Sequence, residues 1–236
     1  MNDGAAVLIA LAIIGLIILL EFKFGKDTKR PTRENQRIPT KEKSVSKYEL
    51  DFLLDMLHTK LGRKNMGSFR LRDHIKWEAI NSQFNQKAMH NLVTIIMRYL
   101  GLPPVRYWVF VNTVKDSDDI DKADPAGKYT LSIYNEVEIH VNLRPYYSYD
   151  EIMAILCHEC THHYLNYRNI RMGSDRSNER LTDVAAVYLG FGHYLANGYK
   201  EKVIRTTSKG HLTTKLGYLN EAEIEYIRMR KREYAA

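Results

Sequence analysis

The spacing of apolar residues along the chain predicts a largely helical protein. Leucines at every third or fourth position follow Ser46 and Glu49, a pair typical of a helix start, and the pattern ends at Gly62. A second helical pattern runs from Asp73 to Leu100, with a break near Asn81. Three later helices are predicted, one beginning at residues 149–150, one over 178–196 and one beginning near residue 220.

Between the helical patterns, runs of β-branched and aromatic residues predict strands. One strand covers residues 105–111, and two more cover 128–134 and 137–142, on either side of a tight turn at Asn135 and Glu136. The last two are therefore expected to form an antiparallel pair. The predicted fold class is α+β, with a small antiparallel sheet in a mostly helical domain over residues 46–236.

The amino-terminal stretch is apolar without any polar face. Residues 5–20 contain no charged side chain, and residues 1–24 together are long enough to cross a bilayer. A cleaved signal peptide is the rival interpretation, but the stretch begins with Asp3 rather than a basic residue, and no small-residue cleavage site follows it. We therefore expect a single N-terminal transmembrane helix that contacts the lipid bilayer through residues 5–24.

Most of the excess positive charge lies beside this apolar stretch. The chain of 236 residues carries a net charge of +7, and residues 21–47 hold nine Lys or Arg against four Asp or Glu, a net of +5. Basic residues beside a membrane span mark its cytoplasmic side, so we expect a single-pass membrane protein whose main domain is cytoplasmic. Pro31 and Pro39 mark residues 25–45 as an irregular linker. A nucleic-acid partner is not expected, because the excess charge is mostly in that linker.

The candidate chemistry centres on the segment Cys157-His158-Glu159-Cys160-Thr161-His162. Two His residues four apart on a helix lie about 40° apart around its axis and one turn along it. His158 and His162 can therefore reach one Zn²⁺, while Glu159 points beside the metal and takes a proton from the attacking water. A bare His-Glu-x-x-His arises by chance in many helices, so the surrounding sequence must support it.

A pair of carboxylates downstream provides that support. Glu179 lies 17 residues after His162, and Asp183 follows four residues later on the same face of another predicted helix. Glu179 is the expected third metal ligand. Asp183 is the expected acceptor for the free ring nitrogen of a ligand His. If Glu179 does not bind the metal, Asp183 and Asp175 are the next candidates.

His158-Glu159-x-x-His162 followed by Asn178-Glu179-x-x-x-Asp183 resembles the gluzincin zinc metallopeptidases, the thermolysin-like and membrane-bound heat-shock protease groups. The resemblance covers roughly residues 128–197. It implies a zincin-like domain with zinc on His158, His162 and Glu179, Glu159 as general base, and Asp183 behind the ligands. It also implies that an edge strand before the zinc helix borders the cleft and pairs with an extended substrate.

Two further details of the sequence bear on this resemblance. The metzincin pattern is excluded, because Leu165 and Arg168 stand where it needs Gly and a third His. Many gluzincins carry a later His or Tyr that stabilises the transition state, and this chain has no sure counterpart. His211 is the first candidate for that catalytic role, with Tyr199 and Tyr218 as weaker alternatives.

The sequence therefore predicts an enzyme, a membrane-anchored zinc endopeptidase that hydrolyses peptide or protein substrates near the membrane. The alternative is a membrane-tethered interaction module that holds zinc for structure, binds a partner along its strand edge and has no proteolytic activity. Glu159 favours the enzyme, because a purely structural zinc site needs no general base.

Overall fold

A computed structural model of the chain describes residues 46–62, 67–114, 125–131, 136–207 and 210–235, apart from the side chains of residues 205–212 and 235. All of these residues belong to one compact unit. Its helices are α1 (Lys47–Leu61), α2 (Asp73–Asn81), α3 (Gln86–Tyr99), α4 (Tyr149–Tyr167), α5 (Asp175–Ala186), α6 (Gly192–Gly198) and α7 (Glu221–Ala235). Its strands are β1 (Tyr107–Thr113), β2 (Gly127–Leu131), β3 (Val137–Leu143), β4 (Lys202–Thr207) and β5 (Gly210–Thr214).

The first three helices confirm the predicted pattern. Ser46 caps α1, its side chain accepting a hydrogen bond from the Glu49 amide, and Gly62 follows the last helical residue. The break expected near Asn81 separates α2 from α3. These boundaries follow local chemistry, since a capping side chain and a left-handed glycine satisfy the free backbone groups at helix ends.

The larger sheet is mixed, which corrects the prediction of a small antiparallel sheet. Its order is β1–β3–β2, with β3 antiparallel to β2 and parallel to β1. The antiparallel pair is the one predicted from the local turn. The parallel pairing joins segments about 30 residues apart in the chain, so it depends on the fold rather than on a turn. β4 and β5 form a separate antiparallel hairpin that was not predicted.

α4 is the central helix of the unit. Fourteen of its 19 residues are buried, and it packs against α3, α5, α6, β2 and β3. A capping box at Ser148 and Glu151 fixes its first turn. A helix that is buried all round places its few polar side chains inside the protein, where each needs a partner. Two of those buried polar side chains, His158 and Glu159, belong to the site described below.

The helix predicted over residues 178–196 is interrupted. α5 ends at Ala186, a π-helical turn follows over Val187–Phe191, and α6 begins at Gly192. Gly190 has φ 109°, a conformation that favours glycine. Carbonyls that have no partner within the helix at this point accept hydrogen bonds from other segments. The Phe69 amide donates to the Gly190 carbonyl, and the Tyr99 hydroxyl donates to the Leu189 carbonyl. Specific hydrogen bonds from other segments therefore stabilise the interruption.

The predicted transmembrane helix and single-pass membrane location are corrected. In the part of the chain that the structure describes, no helix is both long enough and apolar enough to cross a membrane. The longest, α4, has 19 residues but carries Asp150, Glu151, His158 and Glu159. The described fold is α+β without a membrane-spanning helix. The cytoplasmic placement of the domain depended on that helix and is not retained. The anchor and linker predicted for residues 1–24 and 25–45 lie outside the described residues.

Candidate metal centre

Two helices bring three metal-ligating atoms to one point. His158 and His162 lie one turn apart on α4, and Glu179 lies on α5, which packs against it. The Nε2 atoms of the two His are 3.0 Å apart. Glu179 Oε2 lies 3.1 Å from Nε2 of His158 and 3.3 Å from Nε2 of His162. Within the described residues this is the one group of His, Cys, Asp and Glu side chains with such a geometry.

The triangle has the size that tetrahedral zinc requires. Zinc binds His nitrogen and carboxylate oxygen at 2.0–2.2 Å, so two ligands at a tetrahedral angle lie about 3.3 Å apart. The three observed separations of 3.0, 3.1 and 3.3 Å are close to that value. The donor set of two His and one Glu is also the set found in catalytic zinc sites. The residues present therefore fit a zinc ion.

Hydrogen bonds behind the ligands fix which nitrogen of each ring is free. His158 Nδ1 lies 2.7 Å from Oδ1 of the buried Asp183, which accepts its hydrogen. His162 Nδ1 lies 3.1 Å from the Thr182 hydroxyl. That hydroxyl already donates to the Asn178 carbonyl, so it accepts from the ring. In its neutral form each ring is thus the Nδ1–H tautomer, which directs a bare Nε2 toward the same point.

Three acceptors that face one another repel unless positive charge lies between them. Burial lowers the pKa of His158, but Asp183 and the hydrogen bond with Glu179 outweigh it and hold that pKa well above its ordinary value. Burial raises the pKa of Glu179, but the two His outweigh it and hold that pKa well below its ordinary value. The cluster therefore favours cation binding, and a metal ion satisfies all three acceptors at once.

Glu159 lies beside this cluster and contacts the sheet. Its side chain is buried, and the backbone N–H of Tyr129 on β2 donates to its carboxylate. Burial raises its pKa, although the two His residues and this hydrogen bond oppose the change. A Cβ on Gly127 would overlap Oε1 of Glu159 and lie 2.7 Å from Ile155 Cγ2. The absence of a side chain at Gly127 lets β2 approach the carboxylate.

Among the described strands, β2 lies at the edge of the sheet and faces the candidate site. Lys128 pairs with His140, and the Asn142 amide donates to the Ala126 carbonyl. Because hydrogen-bonded pairs alternate along an antiparallel ladder, the backbone groups of Gly127, Tyr129 and Leu131 point away from β3. The Tyr129 N–H that reaches Glu159 is one of them. The expected edge strand before the zinc helix is therefore present next to Glu159.

The remaining candidates have different positions. Tyr199 and Tyr218, considered for the transition state, instead donate to Asp183, from the Tyr199 hydroxyl and the Tyr218 amide. His211 belongs to β5, and its side chain lies outside the described part of the chain. Asp175 is exposed in the first turn of α5. His158, His162, Glu179 and Asp183 are the candidates that the structure brings together.

Sequence reasoning missed three contributors to the site. Thr182 occupies one of the unspecified positions between Glu179 and Asp183, and its role behind His162 depends on how α5 packs on α4. Tyr129 contacts Glu159 through its backbone, and Gly127 makes room for that contact because it has no side chain, so neither leaves a residue-type signal. A glycine directly before the strand predicted over residues 128–134 was the one available hint.

Comparison with known proteins adds no relative: no family model, no curated protein and no solved structure matches this chain. The interpretation of the centre therefore depends on its own geometry.

Proposed function

We propose that this chain is a zinc-dependent endopeptidase of the gluzincin type. The observation that carries the proposal is the convergence of three bare acceptor atoms, from His158, His162 and Glu179, with the carboxylate of Glu159 beside them. Such a site offers a metal three protein ligands and leaves a coordination position for substrate or water. A closed structural site has four protein ligands, and the described residues offer no fourth.

Each residue has a defined task in hydrolysis. Zinc, when bound, polarises the scissile carbonyl and makes the attacking water more acidic. Glu159 takes the proton of that water and delivers it to the leaving amine. Asp183 and Thr182 keep the two imidazoles in the tautomer that presents Nε2.

The edge of β2 supports a peptide as the substrate class. The outward backbone groups of Gly127 and Leu131 and the carbonyl of Tyr129 can pair with an extended chain by strand addition, while the Tyr129 N–H donates to Glu159. The Tyr129 N–H and Glu159 are in contact, so a peptide on this edge passes next to the general base. An extended peptide would gain affinity from main-chain hydrogen bonds and be cleaved where it crosses the metal centre.

The test uses Glu159→Gln, which preserves the shape of the side chain but removes the base. We expect the parent protein, loaded with zinc, to hydrolyse a library of quenched fluorescent peptides. The variant should retain one zinc per chain and lose at least about a hundredfold in rate, the usual contribution of a general base. Cleavage by the variant at the parental rate would contradict the mechanism. Zinc binding without hydrolysis by the parent would indicate an interaction module with a zinc site.

A further inference from the structure

The segment that contains the β4–β5 hairpin is attached to the metal centre at both of its ends. Tyr199 precedes the hairpin, and its hydroxyl donates to Oδ1 of Asp183 at 2.5 Å. Tyr218 follows the hairpin, and its backbone amide donates to Oδ2 of Asp183 at 2.7 Å. We call the described residues of this segment, 199–207 and 210–218, the strap. Both ends of the strap therefore meet the carboxylate that orients His158.

The buried carboxylate of Asp183 needs these hydrogen-bond donors to stay in position. Its side chain has no solvent exposure, so water does not complete its hydrogen bonding. A buried carboxylate is costly unless its oxygens are paired. The described structure gives Oδ1 two partners, His158 Nδ1 and the Tyr199 hydroxyl, and Oδ2 the Tyr218 amide. Two of the three donors that hold the carboxylate in place thus come from the strap.

The two ends of the strap also pack against each other. Gly217 has φ 66°, and a Cβ at this position would overlap the ring of Tyr199. The turn that carries the Tyr218 amide is thus packed directly on the ring whose hydroxyl donates to Asp183. At the start of β4, Lys202 bonds the carboxylate of Glu151 and, at 2.6 Å, the carbonyl of Tyr146. This contact ties the strap to the first turn of α4, the helix that carries both His ligands.

We propose that the strap is a positioning element of the metal centre, with Tyr199 as its principal side chain. The strap fixes the position of the Asp183 carboxylate. That carboxylate in turn orients the His158 ring so that Nε2 points at the metal. The proposal rests on the proposed zinc site but not on proteolysis. Because coupling between two sites is reciprocal, zinc binding stabilises the strap, and whatever displaces the strap weakens zinc binding.

The test is Tyr199→Phe, which keeps the ring against Gly217 and removes only the hydroxyl. We expect the zinc dissociation constant, measured by competition with a chromogenic chelator, to rise about tenfold, the lower end of the effect of an outer partner on a metal site. Tyr194→Phe is the matched control. Its hydroxyl, also on a mostly buried tyrosine, accepts from the Leu71 amide away from the metal, so its zinc affinity should equal that of the parent.

A second measurement needs no variant and covers the case in which Tyr199→Phe does not fold. Hydrogen exchange of the parent protein, with and without zinc, should show slower exchange at the Tyr218 amide when zinc is bound. The slowing should exceed that in α1, which contributes no ligand. A folded Tyr199→Phe protein with parental zinc affinity would overturn the proposal, as would zinc binding that leaves the exchange of residues 215–219 unchanged. A parent that binds zinc but cleaves no peptide would contradict only the proposed proteolysis.

Discussion

Single side chains behind the metal ligands decide how the two His rings are presented. α5 supplies Glu179 as a candidate ligand and, within the next turn, Thr182 and Asp183 as acceptors for His162 and His158. Thr182 accepts through an oxygen whose own hydrogen is committed to Asn178. One helical turn therefore contributes both to the binding of the cation and to the orientation of its imidazole ligands.

Thr182→Val tests the acceptor behind His162. Valine has the same shape but no oxygen, so the ring loses the partner that fixes its tautomer. We expect zinc affinity to fall about tenfold by chelator competition. Thr182→Ser restores the hydroxyl and should bind zinc nearly as tightly as the parent. Equal affinities for the valine and serine variants would show that Thr182 does not orient His162.

Gly127→Ala tests the approach of β2 to the general base. The new methyl group overlaps Oε1 of Glu159, so the carboxylate must move, while the three ligands stay in place. We expect zinc content to remain at the parental level and peptide hydrolysis to fall about a hundredfold, as for a displaced catalytic group. Gly173→Ala is the control, since a Cβ there contacts nothing within 4 Å. Parental turnover in Gly127→Ala would show that the strand does not position Glu159.

At the scale of elements, the interruption between α5 and α6 determines what each helix can reach. α5 ends at Ala186 after presenting its three site residues, and α6 packs along α4 from a new direction. A Cβ on Gly198 would lie 2.7 Å from the Asp150 carbonyl, so α6 and α4 approach closely at this point. A straight helix over residues 178–196 would have had no such change of direction at Gly190.

Gly190→Ala tests the interruption. Its φ of 109° is strained for alanine, and the added Cβ overlaps the Gly67 carbonyl and the Tyr99 hydroxyl. We expect the free energy of unfolding to fall by at least about 1–3 kcal/mol, measured by chemical denaturation. Gly173→Ala should leave the denaturation midpoint within the error of the parent. An unchanged midpoint for Gly190→Ala would mean that the segment relaxes without cost.

For the whole molecule, the proposed metal site joins elements that are distant in sequence. His158 and Glu179 come from different helices, and the strap adds contacts from residues 199 and 218 to the same carboxylate. Because a ligand that binds only the folded state stabilises it, zinc should stabilise the whole domain.

Removal of zinc tests that linkage. At a free zinc concentration a thousandfold above the dissociation constant, binding adds about 4 kcal/mol, so chelation should lower the melting temperature by on the order of 10 °C. Glu179→Ala removes one ligand and should show a much smaller difference between zinc and chelator. A melting temperature of the parent that does not respond to zinc would argue against a metal centre that bridges the helices.

The sequence alone was sufficient for features that depend on local spacing. The ends of α1, the break between α2 and α3 and the antiparallel β2–β3 pair follow from residues a few positions apart. Helical spacing likewise put His158 and His162 on one face of a helix. Two local inferences were wrong for the described fold. The helix predicted over residues 178–196 is interrupted at Gly190. The α+β class holds, but no helix among the described residues is both long enough and apolar enough to cross a membrane.

Only the tertiary structure decided features that join distant segments. Three such features are the parallel β1–β3 pairing, the contact of the Tyr129 amide with Glu159, and the hydrogen bonds from Tyr199 and Tyr218 to Asp183. Each joins backbone groups or side chains that are 16 to 35 residues apart in the chain. Backbone donors are the same in every residue, and a glycine that makes room leaves no chemical signature. The physical reason is that the spacing of apolar residues shows which face of a helix or strand is buried. Which residues that face contacts depends on how the elements pack in the folded protein.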